Sequence, residues 1–152
     1  DNPGDSLTDI ALIRSFDQGK NWEQIATVVA PFNLGISHDP TQPVVDGILV
    51  NDSALNNFSA YSKSTGRVYV AFQAATIAPS EQDPVPESDQ ILITVSNDQG
   101  TSWSPTVKIN RTPTSAVPGA SQVFNPNIAV LNNGYLGVIY FDYRNFTGGP
   151  AI

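Results

Sequence analysis

The 152-residue chain has no cysteine and no methionine, a single histidine, and only seven Lys and Arg residues against fourteen Asp and Glu. Without cysteine there is no disulfide, no thiolate metal ligand and no thiol nucleophile. A formal net charge of -7, with the few basic residues widely scattered, excludes nucleic acid and anionic membrane surfaces as partners, because both need clustered Lys and Arg. No stretch reads as a signal peptide or a membrane span. The missing methionine, at position 1 included, fits a processed or internal piece of a protein better than a whole translated one. There is no glycine-rich phosphate loop, no zinc spacing and no Gly-x-Ser-x-Gly elbow, so no metal and no cofactor are expected.

Present instead are two copies of one hairpin signature, Ser15-Phe-Asp17-Gln-Gly19-Lys-Asn-Trp22 and Ser96-Asn-Asp98-Gln-Gly100-Thr-Ser-Trp103. With this composition, a single match to Ser-x-Asp-x-Gly-x-x-Trp arises by chance in on the order of one in a thousand chains of this length. Two matches between strand-like runs constitute a repeat. Asp17 and Asp98 offer short carboxylates to the amides of a tight turn, and Gly19 and Gly100 allow a positive φ. Trp22 and Trp103 are expected to begin the return strands and pin each hairpin to its sheet.

The signature resembles the Asp-box, or bacterial neuraminidase repeat, of sialidases and other Asp-box β-propellers. The flanks extend the likeness: Ile10-Ala-Leu-Ile13 and Ile91-Leu-Ile-Thr94 precede the boxes in register, and strand-like runs at 25–29 and 106–109 follow them. The resemblance implies an all-β fold, part of a β-propeller with four-stranded antiparallel blades, each box closing the hairpin between the third and fourth strands. A closed propeller needs at least four blades. The rest of the propeller, or neighbouring chains, is therefore expected to complete the blades.

Along the chain, residues 1–30 read as the outer half of one blade, 31–110 as a connection plus a full blade, and 111–152 as the inner half of a further blade. In the full blade, Phe58 to Lys63 and Arg67 to Ala74 flank the turn Ser64-Thr-Gly66, and both faces of the second run are apolar, as an inner buried strand requires. Prolines 79, 84 and 86 mark 76–89 as a loop. A third hairpin is expected from Pro126 to Leu131 and Tyr135 to Tyr143 around Asn132-Asn-Gly134, since Asn-Gly is a strong hairpin signal.

In such a meander the short turns at 15–22, 64–66, 96–103 and 132–134 share one end of the strands, and the long segments lie at the other. Binding residues concentrate on loops held by a rigid scaffold, so function is expected at the long-loop end and not at the boxes. The candidates there are Asp142, Tyr143 and Arg144, which follow an apolar run and offer a carboxylate, a phenol and a guanidinium. A glycan site needs a proton donor or acceptor, a stacking or nucleophilic ring and an anion binder. Sialidases use a tyrosine nucleophile. The plainer alternative is a structural Asp–Arg pair.

Lesser candidates are His38-Asp39 and the carboxylates Glu81, Asp83, Glu87 and Asp89, whose spacing lacks the glycine-turned pattern of a calcium loop. Active members of the family place three arginines around the substrate carboxylate. Of Arg14, Arg67, Arg111 and Arg144, only Arg144 and Arg111 fall at the long-loop end. Four sequons, at Asn51, Asn57, Asn110 and Asn145, slightly exceed the roughly two expected at random and point to an extracellular, secreted glycoprotein. Two readings follow. One is a secreted sialidase-like exo-glycosidase that hydrolyses or binds terminal sugars; the other is a non-catalytic glycan- or protein-binding or structural segment of a larger extracellular glycoprotein. Glycans or glycoproteins are the expected partners in both.

Overall fold

The computed structural model describes residues 7–33, 44–45, 48–49, 57–77, 86–113, 123–145 and 147. Among them every regular element is a β-strand, and every pairing is antiparallel. Four strands form one sheet in sequential order: β5 (Asn57–Tyr61), β6 (Val68–Ile77), β7 (Pro86–Ser96) and β8 (Val107–Lys108). Two hairpins flank it, β1 (Leu7–Leu12) with β2 (Thr27–Asn33), and β9 (Val123–Val130) with β10 (Leu136–Asp142). A short pair, β3 (Val44–Val45) with β4 (Ile48–Leu49), interrupts the connection that was expected to be irregular from Pro31 onward.

β6 is the central strand, and its residues Val70 to Ala74 are all buried. Strand alternation sends Val70, Phe72 and Ala74 to one face, where they form a core with Ile10, Val29 and Ala30 of the first hairpin. Val29 and Ala30 are consecutive yet both buried; a register shift opposite Ile10 and Ala11 permits it. The β9 side of the third hairpin packs against β5, β6 and β7. The sheet is thus covered by a hairpin on each face, which is how a sheet apolar on both sides is kept from water.

The two Ser-x-Asp-x-Gly-x-x-Trp turns have one geometry. Ser15 Oγ donates to Asp17 Oδ1 at 2.9 Å, the Gly19 amide donates to Ser15 Oγ at 2.7 Å, and the Asn21 amide donates to Asp17 Oδ1 at 2.8 Å. In the second turn the same three bonds run from Ser96 Oγ, Gly100 N and Ser102 N at 2.8, 2.7 and 2.8 Å. Both glycines have φ of 86°, and the preceding Gln18 and Gln99 are also left-handed at 63° and 59°. The hydrogen bonds, which include side-chain donors Asn21 and Ser102, hold both aspartates below the ordinary carboxylate range, Asp98 at about 2.

Arg14 joins the two turns. Its Nε and Nη2 grip Glu23 at 2.8 and 2.7 Å, while Nη1 donates to Gln99 O at 3.0 Å and Thr101 Oγ1 at 2.9 Å. The turns at 62–67 and 131–134 line one cleft. All four short turns therefore gather at one end, as expected.

Several expectations need correction. Neither tryptophan begins a strand: β2 starts at Thr27 and β8 at Val107. Trp22 is 58% exposed, whereas Trp103 is half-buried against the core. Residues 76–77 and 86–89 are strand, not loop; Pro86 is tolerated because it opens β7 at a register shift. Likewise Pro126 lies within β9 and not at its start. Asn125, with φ of 50°, and Pro126 form the longer side of a bulge opposite Tyr140, which frees the missing proline N–H from ladder duty. The turn Asn132-Asn133-Gly134, by contrast, is the three-residue loop expected, with Gly134 N donating to Leu131 O and Leu131 N to Tyr135 O, both at 2.8 Å.

Candidate functional site

β10 ends at Asp142, opposite Val123, at the end of the sheets away from the short turns. Period-two alternation places Asp142 and Tyr143 on opposite faces of the hairpin. Asp142 turns toward the connection after β8: Thr112 Oγ1 donates to its Oδ2 at 2.9 Å. Arg144 folds back on the same carboxylate, its Nε 2.8 and 2.9 Å from Oδ1 and Oδ2 and its Nη2 also on Oδ2. The Tyr143 ring goes the other way. It stacks on Phe124 at 5.3 Å between centroids, and Phe124 in turn stacks on Phe141 at 5.4 Å.

The structure therefore brings two of the three expected residues together and separates the third. Asp142, Arg144, Thr112 and Tyr140 form one cluster; Tyr143 belongs to an aromatic ladder across the hairpin. Sequence reasoning missed Thr112 and Tyr140. The Arg111 amide donates to the Tyr140 hydroxyl at 3.0 Å, so the backbone of residues 111–112 is tied to β10 at two points. Arg111 itself is exposed.

Electrostatics decide what this cluster can do. The Arg144 guanidinium, with help from Thr112, holds the Asp142 carboxyl at about 2 despite its burial. A group that far below neutral is a permanent anion near pH 7 and cannot serve as a general acid there. Its role is to fix Arg144, whose own pKa is raised by Asp142. What remains for a ligand is cationic: the partly exposed Arg144 guanidinium. A guanidinium held this way suits recognition of a carboxylate or sulfate.

A stability consequence follows from the depressed pKa. An aspartate lower in the folded state than its unfolded value near 3.9 stabilises the fold above that value, and the contribution is lost as pH falls toward about 2. Thermal melts between pH 5 and pH 2 are expected to show Tm falling through that window. Asp142→Asn should lower Tm at pH 7 and flatten the acid limb; an acid limb as steep as in the parent would show that other carboxylates govern it.

The remaining candidates are dispersed. Arg14 is committed to the turn end, and Arg67 follows the 62–66 turn. His38, Asp39, Glu81, Asp83 and the sequon residue Asn51 lie outside the described residues, and for Glu87, Asp89 and Asn57 only the backbone is described. Asn145 is exposed. Asn110 is 7% exposed and its Oδ1 accepts the Ile91 amide at 3.0 Å, so this sequon is structural in the fold and has no room for a glycan. Among the described residues no group of three or more His, Asp and Glu side chains is arranged to hold a metal, and no helix is long and apolar enough to cross a membrane.

No protein-family model and no curated protein sequence matches the chain. Among solved structures it is similar to a Hadza microbial sialidase, Hz136, with a TM-score of 0.50 and 15% sequence identity. The match covers 90% of this chain and 27% of that protein, so the chain spans about a quarter of the sialidase's length. At this identity the likeness is one of architecture, and it shows that the chain has an all-β, sialidase-like fold.

Proposed function

We propose that the chain is part of a secreted Asp-box propeller that recognises acidic terminal sugars of extracellular glycans at the end opposite the boxes. The observation that carries this reading is the exposed Arg144 guanidinium, oriented by Asp142, with the backbone of Arg111 tied to the same cluster through Tyr140. Two guanidiniums at a sugar's carboxylate supply charge-assisted, geometrically specific hydrogen bonds. In this role Arg111 and Arg144 bind, while Asp142, Thr112 and Tyr140 position.

The permanent ionisation of Asp142 and the position of Tyr143 across the hairpin favour a binding role over acid–base or nucleophilic work for this segment. Any hydrolysis by the larger protein would draw its acid, base and nucleophile from other residues. The test is a sialoside titration of the parent and of Arg144→Ala and Arg111→Ala in the intact protein. Each variant is expected to weaken binding about tenfold, the effect of losing roughly 1.4 kcal/mol of charge-assisted hydrogen bonding. Unchanged affinity in both would remove the site and leave the alternative, a structural Asp–Arg pair in a non-glycan-binding segment.

A further inference from the structure

β9 leaves regular pairing at one place, beside the Asp142 cluster. On the turn side of it Val138 pairs with Ile128 and Ile139 with Asn127; beyond it Phe141 pairs with Phe124 and Asp142 with Val123. Asn125 and Pro126 together stand opposite Tyr140. Residues opposite one another in an antiparallel pair share a face, so the extra residue exchanges the faces of the β9 residues before it. An unbroken ladder would set Phe124 opposite Asp142. With the bulge, the fully buried Val123 takes that place, and Phe124 turns to the other face, where it stacks on Phe141 and Tyr143.

The exchange strains the backbone. Asn125 has φ of 50°, and it precedes a proline, whose ring crowds the residue before it. Asparagine is among the few L-residues that enter the left-handed region at modest cost. Strain of this kind persists only where the surrounding structure holds it, and here Pro126 is fully buried. What the exchange yields is room. Tyr140 and Asp142 share the face toward the connection after β8, where the phenol oxygen accepts the Arg111 amide at 3.0 Å and the carboxylate accepts Thr112 Oγ1 at 2.9 Å. The two methyl groups of Val123 leave space on that face that a benzyl group would fill.

We infer that Asn125 is a positioning residue: its left-handed backbone makes the bulge that seats Tyr140 and Asp142 on residues 111–112, and through Asp142 it aims the Arg144 guanidinium. The role belongs to the backbone, so glycine, which adopts a positive φ freely, should replace Asn125. Valine should not, because a β-branched residue at positive φ is a strong outlier. The device is internal: it joins β9 and β10 to the connection after β8 and uses no uncovered sheet face. For ligand binding the inference rests on the glycan reading; for the Arg111–Tyr140 contact it stands apart from it.

The experiment compares the intact protein with its Asn125→Gly, Asn125→Ala and Asn125→Val variants, by hydrogen exchange of single amides and by sialoside titration. In Asn125→Val the Arg111 amide is expected to exchange about tenfold faster, and the sialoside dissociation constant to rise about fivefold. Asn125→Ala should fall between, and it carries the test if the valine variant does not fold. Asn125→Gly is expected to stay within about twofold of the parent on both readouts. The Ile91 amide, bonded to Asn110 Oδ1 in the four-stranded sheet, is the internal reference and should keep the parent rate throughout. Arg111 exchange unchanged in the alanine and valine variants would overturn the inference. So would an Ile91 amide accelerated as much as Arg111, which would mean a general loss of stability, or a glycine variant as damaged as the valine one, which would assign the role to the asparagine side chain. A parent that binds no sialoside but shows the expected exchange pattern would remove the glycan reading and leave the role of Asn125 standing.

Discussion

Phe72→Ala is expected to destabilise the chain by about 3–5 kcal/mol, the usual cost of deleting a fully buried aromatic ring. Phe72 is completely inaccessible and lies at the centre of the cluster formed by Ile10, Val29, Ala30, Val70 and Ala74, with Leu12, Leu92 and Trp103 against it. The cluster joins the first hairpin to the four-stranded sheet, so the cavity opens at the junction and not inside a single sheet. Against a total stability on the order of 5–15 kcal/mol, the loss is a large share. Hydrogen exchange should show β1 and β2 losing protection before β6 and β7 do. A denaturation midpoint displaced by less than the equivalent of about 1 kcal/mol would mean that the first hairpin is held by something other than this core.

Gly100→Ala is expected to cost about 2–4 kcal/mol, and Gly19→Ala only about 1 kcal/mol. Both glycines sit at φ of 86°, so both substitutions pay the left-handed penalty of an L-residue, roughly 1–2 kcal/mol. Only at Gly100 does the new methyl also collide with Leu12 Cδ2, which is packed on the core and cannot swing freely into solvent. The difference between the two variants thus measures how firmly the first hairpin is seated on the second turn. Chemical denaturation of the pair checks it; equal losses would place the whole effect in backbone conformation and deny the seat.

Much of this architecture could be read from residue order. The paired turn motifs, the two-sided apolarity of residues 68–74 and the Asn-Gly turn each carry a local signal, and each lies where expected. Proline misled in two places, because a bulge at Asn125–Pro126 and a strand opening at Pro86 are among the positions where a missing N–H costs little. The β3–β4 pair had an unread signal in Asp46-Gly47 between Val44-Val45 and Ile48-Leu49.

At the site, period-two alternation was enough to separate Asp142 from Tyr143, and reading the three residues as one group overlooked it. Thr112 and Tyr140 are different. They meet Asp142 and Arg111 across about thirty residues of chain, and nothing local in a single sequence marks such a contact. The Arg14 bridge to Gln99 and Thr101 spans more still. Long-range polar contacts depend on how sheets stack, which local patterning leaves open.

The central proposal is that recognition and framework occupy opposite ends of the strands: the Asp142-held Arg144 guanidinium at one, hydrogen-bonded aspartate turns at the other. A crystal structure of the intact protein with a saturating sialoside tests it most directly. The account predicts the sugar carboxylate within hydrogen-bond distance of Arg111 and Arg144, with the Asp142–Arg144 and Thr112–Asp142 bonds retained and both aspartate turns unchanged. A sugar bound elsewhere, with both guanidiniums left in solvent, would contradict it.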